Sequence, residues 1–217
     1  MSTVIRHLTK RLSKRRSFER SLLPAASLLR RQMIARRAQV SRNKQQHTSH
    51  QIFTRLLQSS HVACSQTIAG YLAVNGEVDL QPLFEWAWYQ GKTCYLPVVL
   101  HQVLAFVPYT PHTVLVRNRF GILEPHVTES TCFLPASDLD LVLTPLVAFD
   151  AQGNRLGRGA GYYDRSFSFL LNSPGLCKPY LIGIAYEWQK TDLLTPAPWD
   201  VPLHAVATDL CWYMHTD

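Results

Sequence analysis

The sequence predicts an α/β fold, a single layered domain with a largely parallel central sheet flanked by helices. With 217 residues, of which 47% are hydrophobic and 17% charged, the chain can bury a substantial core and does not resemble a disordered or fibrous protein. Short β-favouring runs alternate along it with segments of helical periodicity, as is typical of strands joined by crossover helices. One nearly continuous apolar run, residues 139–149, is expected of a strand buried on both faces.

The first predicted elements are two consecutive helices. In residues 27–40 the apolar side chains fall at helical spacing, and basic residues that include Arg36 and Arg37 spread over the remaining surface. Ser41 is suited to cap a second helix that runs to Leu57. The pattern therefore predicts a basic helix followed by an amphipathic one.

From residue 67 onward the pattern alternates between strand and helix. The segments predicted in order are a strand at 67–74, a helix at 79–89, strands at 94–99, 103–109 and 139–149, a helix at 162–171 and a strand at 180–186. We find no internal repeat or linker within residues 45–217. Residues 27–217 are therefore expected to form one domain, preceded by a flexible basic arm at 1–26.

The net charge of +7 is unevenly distributed along the chain. Residues 1–44 hold 13 of the 22 Lys and Arg and a single acid, Glu19, whereas the rest of the chain has more acids than bases. A basic arm on a mildly acidic body disfavours a dedicated nucleic-acid-binding domain, although the arm alone could bind RNA. The first 17 residues also resemble an organelle transit peptide. We favour a solvated tail on a cytoplasmic protein, because no apolar periodicity accompanies the charges.

Hydropathy and cysteine spacing exclude two further classes of protein. The longest mostly apolar stretch, residues 96–108, is interrupted by His101 and Gln102 and is too short for a membrane span. The five cysteines are far apart and lack the paired spacing of a zinc or redox motif. We expect reduced, mostly buried thiols in a cytosol-like compartment.

A glycine cluster lies between a predicted strand and a predicted helix. Four of the ten glycines fall within nine residues: Gly153, Gly157, Gly159 and Gly161. Three arginines are interleaved with them: Arg155, Arg158 and Arg165. Glycines at such a junction let backbone N–H groups approach an anion closely, and the helix amino terminus adds positive potential. The cluster predicts a phosphate-binding loop, although it has neither dinucleotide nor P-loop spacing; the alternative is a glycine-rich turn whose arginines face water.

Residues 140–165 closely resemble the signature of the 5-formyltetrahydrofolate cyclo-ligase family, also called 5,10-methenyltetrahydrofolate synthetases. The sequence is DLVLTPLVAFD at 140–150 and GNRLGRGAGYYDR at 153–165, and the similarity extends over residues 27–210. The resemblance implies a single α/β domain that converts 5-formyltetrahydrofolate and ATP, with magnesium, into 5,10-methenyltetrahydrofolate, ADP and phosphate. The implied route is phosphorylation of the formyl oxygen followed by ring closure through nitrogen 10.

The resemblance also implies which residues contact ATP and magnesium. The implied ATP contacts are Arg30, Arg155, Leu156, Gly157, Arg158, Gly159, Ala160, Gly161, Tyr162 and Tyr163, with Arg158 and Tyr162 as catalytic residues. Asp164 and Asp200 match the family's magnesium ligands, and carboxylate oxygens suit that cation. From the residues alone, Asp164 could equally be a first-turn carboxylate favoured by the helix dipole.

The folate substrate is expected to bind a set of residues that overlaps this loop. The implied contacts are Leu72, Glu77, Phe120, Arg158, Gly159, Ala160, Gly161 and Tyr162. A carboxylate can accept pterin N–H groups and an aromatic ring can stack on the pterin. Leu72 could otherwise be a core residue and Glu77 a loop residue. The chain departs from the family pattern at Ala26, where a basic residue is usual, and at Ala160, where some members have Lys.

The expected partners are therefore 5-formyltetrahydrofolate, with or without a polyglutamate tail, and ATP as co-substrate, with Mg²⁺ as cofactor. We expect no membrane or nucleic-acid partner, a monomer or weak oligomer, and a cytoplasmic location. Two alternatives remain open at this stage. One is an ATP- and RNA-binding module without turnover, and the other is an enzyme of the same fold that acts on a different sugar-phosphate or acyl substrate.

Overall fold

The computed structural model describes residues 25–118, 121–172 and 178–215. In those residues the helices are α1 (25–38), α2 (Arg42–Leu57), α3 (Ser60–Cys64), α4 (Gln81–Tyr89) and α5 (Tyr162–Phe167). The strands are β1 (Thr67–Ala69), β2 (Thr93–Leu100), β3 (Val103–Tyr109), β4 (Leu115–Arg117), β5 (Leu123–Pro125), β6 (Leu141–Pro145), β7 (Ala148–Phe149), β8 (Arg155–Leu156), β9 (Tyr180–Ile184), β10 (Ala205–Ala207) and β11 (Trp212–Met214). Short 3₁₀ helices span Ala136–Asp138, Ser168–Asn172 and Glu187–Gln189.

The central sheet has seven strands in the order β11-β10-β9-β6-β1-β2-β3. Its five inner strands run parallel to one another, and each edge strand, β3 and β11, pairs antiparallel with its neighbour. The predicted α/β class with a largely parallel sheet is therefore confirmed. Strand order changes direction between β1 and β6, which is where ligands bind in open α/β sheets.

Apolar side chains cover both faces of this sheet. Leu141 and Leu143 of β6 pack in the cluster that α2 and α4 cover, while Val142 packs in the cluster that includes Phe167 of α5. The alternation follows from the two-residue period of a strand, and burial on both faces explains why β6 is apolar throughout.

The two predicted amino-terminal helices are confirmed with small changes of boundary. Helix α1 covers residues 25–38, so it includes two residues that we assigned to the arm. Ser41 caps α2, because its side-chain oxygen accepts a hydrogen bond from Lys44 N at 3.3 Å. The prediction that Arg37 lies on the exposed surface of α1 is wrong, since only 2% of its side-chain surface is exposed.

Three predicted segments are shorter or divided. The strand predicted at 67–74 ends at Ala69, beyond which the chain leaves the sheet for the Asn75-Gly76 turn. The helix predicted from Asp79 begins at Gln81, whose N–H donates to the Asp79 carboxylate at 3.0 Å. The strand predicted at 139–149 is interrupted after Pro145, because the carbonyls of Leu146 and Val147 bond to buried side chains instead of a neighbouring strand.

The carboxyl-terminal half contains strands that the sequence pattern did not predict. The hairpin β4-β5 forms a separate two-stranded sheet, and β10 and β11 complete one edge of the central sheet. The helix predicted at 162–171 changes to a 3₁₀ helix at Ser168, and β9 ends at Ile184, two residues before the predicted end.

The membrane and cysteine predictions have different outcomes. Among the described residues, no helix combines the length and apolarity needed to cross a bilayer. The expectation of mostly buried thiols is wrong: Cys94 is buried, but Cys64, Cys132 and Cys211 are exposed, and all four are free. Cys177 lies outside the described residues.

Candidate functional site

A cavity of about 1010 Å³ opens beyond the carboxyl ends of β1 and β6. One wall is the segment after β1, which carries Leu72 and Glu77, and another is the glycine loop that leads into α5. Apolar residues of β2 and β3, with the hairpin β4-β5, form a third side. The volume suits a drug-sized or larger ligand.

The glycine loop is placed by the tight turn that precedes it. The buried Asp150 carboxylate accepts hydrogen bonds from the backbone N–H groups of Gln152 and Asn154, both at 3.0 Å, and of Leu194 at 2.9 Å. Gly153 lies within this turn at φ +82°, and a Cβ there would lie 2.7 Å from the Leu203 carbonyl oxygen. The turn therefore requires both the aspartate and the glycine.

Helix α1 reaches the loop through Arg30. Its Nε donates to the Gly157 carbonyl oxygen at 2.7 Å, and its guanidinium carbon lies 3.7 Å from where a Cβ on Gly159 would stand. Arg165 fixes the other end of the loop by donating to the Ala160 and Gln102 carbonyls at 2.8 and 2.6 Å. The two arginines therefore hold a loop that glycine would otherwise leave flexible.

Asp164 and Asp200 both line the cavity and interact electrostatically. Asp164 Oδ1 accepts from Arg155 Nη2 at 2.5 Å and from Val201 N at 3.2 Å, and Asp200 Oδ2 accepts from Ala197 N at 2.8 Å. Burial raises the pKa of the Asp200 carboxyl, and the Asp164 charge raises it further. Two mutually repelling carboxylates facing a cavity fit a cation.

The residues present fit a magnesium ion that is shared with a phosphate ligand. Among the described residues no cluster of three or more acidic, His or Cys side chains could hold a metal without help. Mg²⁺ in nucleotide sites commonly takes one or two carboxylates, with phosphate and water oxygens as the other ligands. Arg155 already bonds Asp164, so a bound cation would compete with that arginine.

Glu77 lies between two guanidinium groups. Its Oε1 accepts from Arg158 Nη2 at 2.9 Å and lies 3.0 Å from Arg37 Nη2, and its Oε2 accepts from Val74 N at 3.2 Å. Arg37 also donates to the carbonyls of Asn75 and Leu146 at 3.2 and 3.1 Å. Burial lowers the pKa of the Arg37 guanidinium, the Glu77 carboxylate opposes this effect, and Arg158 adds to it.

Two tyrosines begin α5 at the end of the loop. Tyr162 lines the cavity, and the Arg165 guanidinium lies 5.3 Å from its ring centroid. Burial strongly raises the pKa of the Tyr163 hydroxyl, and the Glu77 charge adds to the effect, so this phenol is neutral at physiological pH.

The structure gathers every described residue of the predicted site around one cavity. The residues concerned are Arg30, Leu72, Glu77, Arg155, Leu156, Gly157, Arg158, Gly159, Ala160, Gly161, Tyr162, Tyr163, Asp164 and Asp200. Phe120 lies outside the described residues. A place in the cavity wall does not show that a residue binds a ligand, so the individual roles stay predictions.

Sequence reasoning missed several residues of the site. The apolar wall formed by Leu96, Pro97, Val99 and Leu104 belongs to two strands for which the sequence predicted no part in the site. Glu124 also faces the cavity, and it accepts from Asn118 Nδ2 at 2.9 Å. Arg37 gave no signal in the sequence, because its partner Glu77 is 40 residues away and helical periodicity cannot identify a buried ion pair.

Comparisons with known proteins match most of the chain to a single family. A family model described as the 5-formyltetrahydrofolate cyclo-ligase family matches residues 24–209. The 5-formyltetrahydrofolate cyclo-ligase of Escherichia coli is 41% identical over 177 residues, which are 80% of this chain and 94% of that protein. The Haemophilus influenzae protein of the same name is 39% identical over 165 residues, which are 73% of this chain and 84% of that one.

Solved structures of 5,10-methenyltetrahydrofolate synthetases also superimpose on most of the chain. The Aquifex aeolicus 5,10-methenyltetrahydrofolate synthetase superimposes with a TM-score of 0.74 and 30% identity, over 88% of this chain and 93% of that one. The 5,10-methenyltetrahydrofolate synthetase of Mycoplasma pneumoniae gives a TM-score of 0.66 and 27% identity, over 85% and 98% of the two chains.

Proposed function

Because the chain belongs to the 5-formyltetrahydrofolate cyclo-ligase family, we propose that it uses ATP and Mg²⁺ to convert 5-formyltetrahydrofolate into 5,10-methenyltetrahydrofolate. The observation that carries the proposal is one cavity that joins a carboxylate suited to a pterin with a basic glycine loop suited to phosphates. Arg158 connects the two halves through its 2.9 Å contact with Glu77.

The reaction explains why such a site would need both halves. A formamide is a poor electrophile, so its oxygen must first become a leaving group. The formyl oxygen attacks the γ-phosphorus, the bond from that phosphorus to ADP breaks, and an O-phosphorylated iminium forms at nitrogen 5. Nitrogen 10 then attacks the formyl carbon and loses its proton, and the carbon–oxygen bond breaks to release phosphate. The enzyme contributes mainly positioning and charge neutralisation.

The phosphates of ATP are assigned to the glycine loop. Backbone N–H groups of Gly157, Gly159 and Gly161 can approach an anion without steric hindrance, since a glycine carries no side chain. Arg30 and Arg158 bring positive charge to the same loop, one from α1 and one from the loop itself. We assign Arg158 to the transferred phosphoryl group, and Tyr162 to the reacting atoms beside it.

Asp164 and Asp200 are assigned to magnesium. When bound, the cation would neutralise charge on the phosphates of ATP. The two aspartates would hold it through their carboxylate oxygens, and Arg155 would keep Asp164 oriented while the cation is absent.

The folate is assigned to the Glu77 side of the cavity. The Glu77 carboxylate can accept N–H groups of the pterin, and Leu72 offers an apolar contact on the same segment. Phe120 is proposed to stack against the substrate. We assign the aminobenzoyl part of the ligand to the apolar wall on β2 and β3.

Replacing Arg158 tests the assignment of the phosphoryl-transfer site. We expect Arg158→Ala to keep its fold and to lose turnover by ~10²-fold or more, as is typical when a positioned cation is removed. Arg42→Ala, which removes an exposed cation from α2, is the control and should retain full turnover. Equal turnover in the two variants would show that Arg158 takes no part in the reaction.

A further inference from the structure

One carboxylate oxygen of Glu77 is shared by two arginines with different surroundings. Arg37 Nη2 and Arg158 Nη2 lie 3.0 and 2.9 Å from Glu77 Oε1. The side chain of Arg37 is 2% exposed, whereas that of Arg158 is 39% exposed and lines the cavity. The two contacts are therefore similar in length, but the exposed Arg158 can exchange its contact for one with a ligand more easily than the buried Arg37 can.

Arg37 is held in place by two hydrogen bonds besides its contact with Glu77. Its guanidinium donates to the carbonyls of Asn75 and Leu146, which follow β1 and β6. Its backbone oxygen lies so close to Gly76 that a Cβ there would approach it to 2.3 Å. Arg37 does not line the cavity, and the charged group of the cavity wall that it contacts is Glu77.

The function proposed above places opposite demands on Arg158. Glu77 must accept N–H groups of the pterin, while Arg158 must approach the phosphates of the nucleotide. Arg158 is therefore freest to approach the phosphates if its 2.9 Å contact with Glu77 opens when both substrates are bound. Opening it would leave a buried carboxylate without a counter-charge unless a second cation remained beside it, and such a charge is strongly destabilising.

We propose that Arg37 is a positioning residue that keeps Glu77 fixed and charge-balanced, so that Arg158 moves from Glu77 to the nucleotide phosphates when the folate binds. This inference rests on the proposed function, because it needs both substrates in the one cavity. It has a thermodynamic consequence: 5-formyltetrahydrofolate tightens nucleotide binding, and the nucleotide tightens folate binding by the same factor.

The test is to measure nucleotide affinity with and without the folate. Calorimetry with Mg²⁺ and a non-hydrolysable ATP analogue gives its Kd alone and with saturating 5-formyltetrahydrofolate. In the wild-type protein we expect the folate to lower this Kd by roughly tenfold, the contribution of one charge-assisted hydrogen bond. Arg37→Met should reduce the ratio of the two Kd values to near one and weaken folate binding, and Arg37→Lys should restore part of the ratio.

The matched control is Arg36→Met, which removes the same charge from the neighbouring exposed position on α1, where Arg36 lies over the Trp188 ring. It should keep the wild-type ratio. A wild-type ratio in folded Arg37→Met would overturn the inference. Should Arg37→Met not fold, Arg37→Lys decides: its ratio must lie below that of the wild-type protein, and a wild-type ratio overturns the inference.

The two proposals fail in different ways. If 5-formyltetrahydrofolate does not bind the wild-type protein, the proposed function is refuted, and the inference fails with it. If it binds without changing the nucleotide Kd, only the inference is refuted.

Discussion

Replacing Arg30 tests whether helix α1 takes part in nucleotide binding. Arg30 Nε holds the Gly157 carbonyl at 2.7 Å, and the rest of the guanidinium lies against Gly159. Arg30→Ala removes a loop anchor and one predicted phosphate contact together. A charged hydrogen bond contributes about 1.5 to 3 kcal/mol, and less where solvent reaches it. We therefore expect the KM for ATP to rise roughly tenfold, the equivalent of about 1.4 kcal/mol.

The assay is steady-state release of ADP at varied ATP and saturating folate. We expect kcat to change much less than KM, because Arg158 is still present. Arg30→Lys keeps the charge but lacks the planar fork that can bond two acceptors at once, so it should be intermediate. Arg31→Ala, an exposed arginine on the same helix, should match the wild-type protein.

A shortened chain separates the helix from the arm. We expect a protein that begins at Phe18 to keep the wild-type KM for ATP, since residues 1–17 are predicted to be dispensable. If the shortened chain loses ATP affinity while Arg30→Ala keeps it, the phosphate partner lies in the arm and the assignment of Arg30 is wrong.

The remaining predictions concern the Asn75-Gly76 turn and the two aspartates. Gly76→Ala should lower the melting temperature far more than Gly91→Ala, because both glycines have positive φ but only Gly76 would place a Cβ 2.3 Å from the Arg37 oxygen; equal shifts in thermal denaturation would contradict this. Asp164→Asn and Asp200→Asn should each raise the Mg²⁺ concentration that gives half-maximal rate, since an amide keeps an oxygen but loses the charge. An unchanged magnesium titration in both variants would refute the metal assignment.

Local sequence signals predicted the elements that depend on local chemistry. Ser41 identified the start of α2 because a capping side chain acts within three residues. Strands β2 and β3 were predicted as two separate apolar runs on either side of His101, which adopts φ +54°, but their pairing as a hairpin was not predicted. The glycine loop was recognised as a strand-to-helix junction because the apolar run before it and the helical periodicity after it are also local patterns.

Elements fixed by distant partners could not be predicted in this way. The apolar run at 139–149 continues past Pro145, but the strand does not, because the side chain of Gln189 takes the carbonyls of Leu146 and Val147. Strands β10 and β11 are only three residues each, and their pairing depends on the sheet edge that β9 provides.

The same distinction applies to the site. The loop from Arg155 to Tyr163 is contiguous, so its family signature is visible in the sequence. Glu77 was found only through the resemblance, and its buried partner Arg37 was wrongly placed on the surface. The spacing of basic residues in a helix shows where the helix carries positive charge. Which of those side chains is buried depends on contacts with distant residues such as Glu77.

The most direct test of the proposed function is a single reaction that contains the purified protein, MgATP and 5-formyltetrahydrofolate. The methenyl product has a conjugated amidinium that absorbs in the near ultraviolet, and ADP can be measured in the same sample. We predict that the product appears only when ATP is present, with one ADP formed for each product molecule. Absence of product despite nucleotide binding, or ADP formed without methenyltetrahydrofolate, would contradict the assignment of this cavity as a cyclo-ligase site.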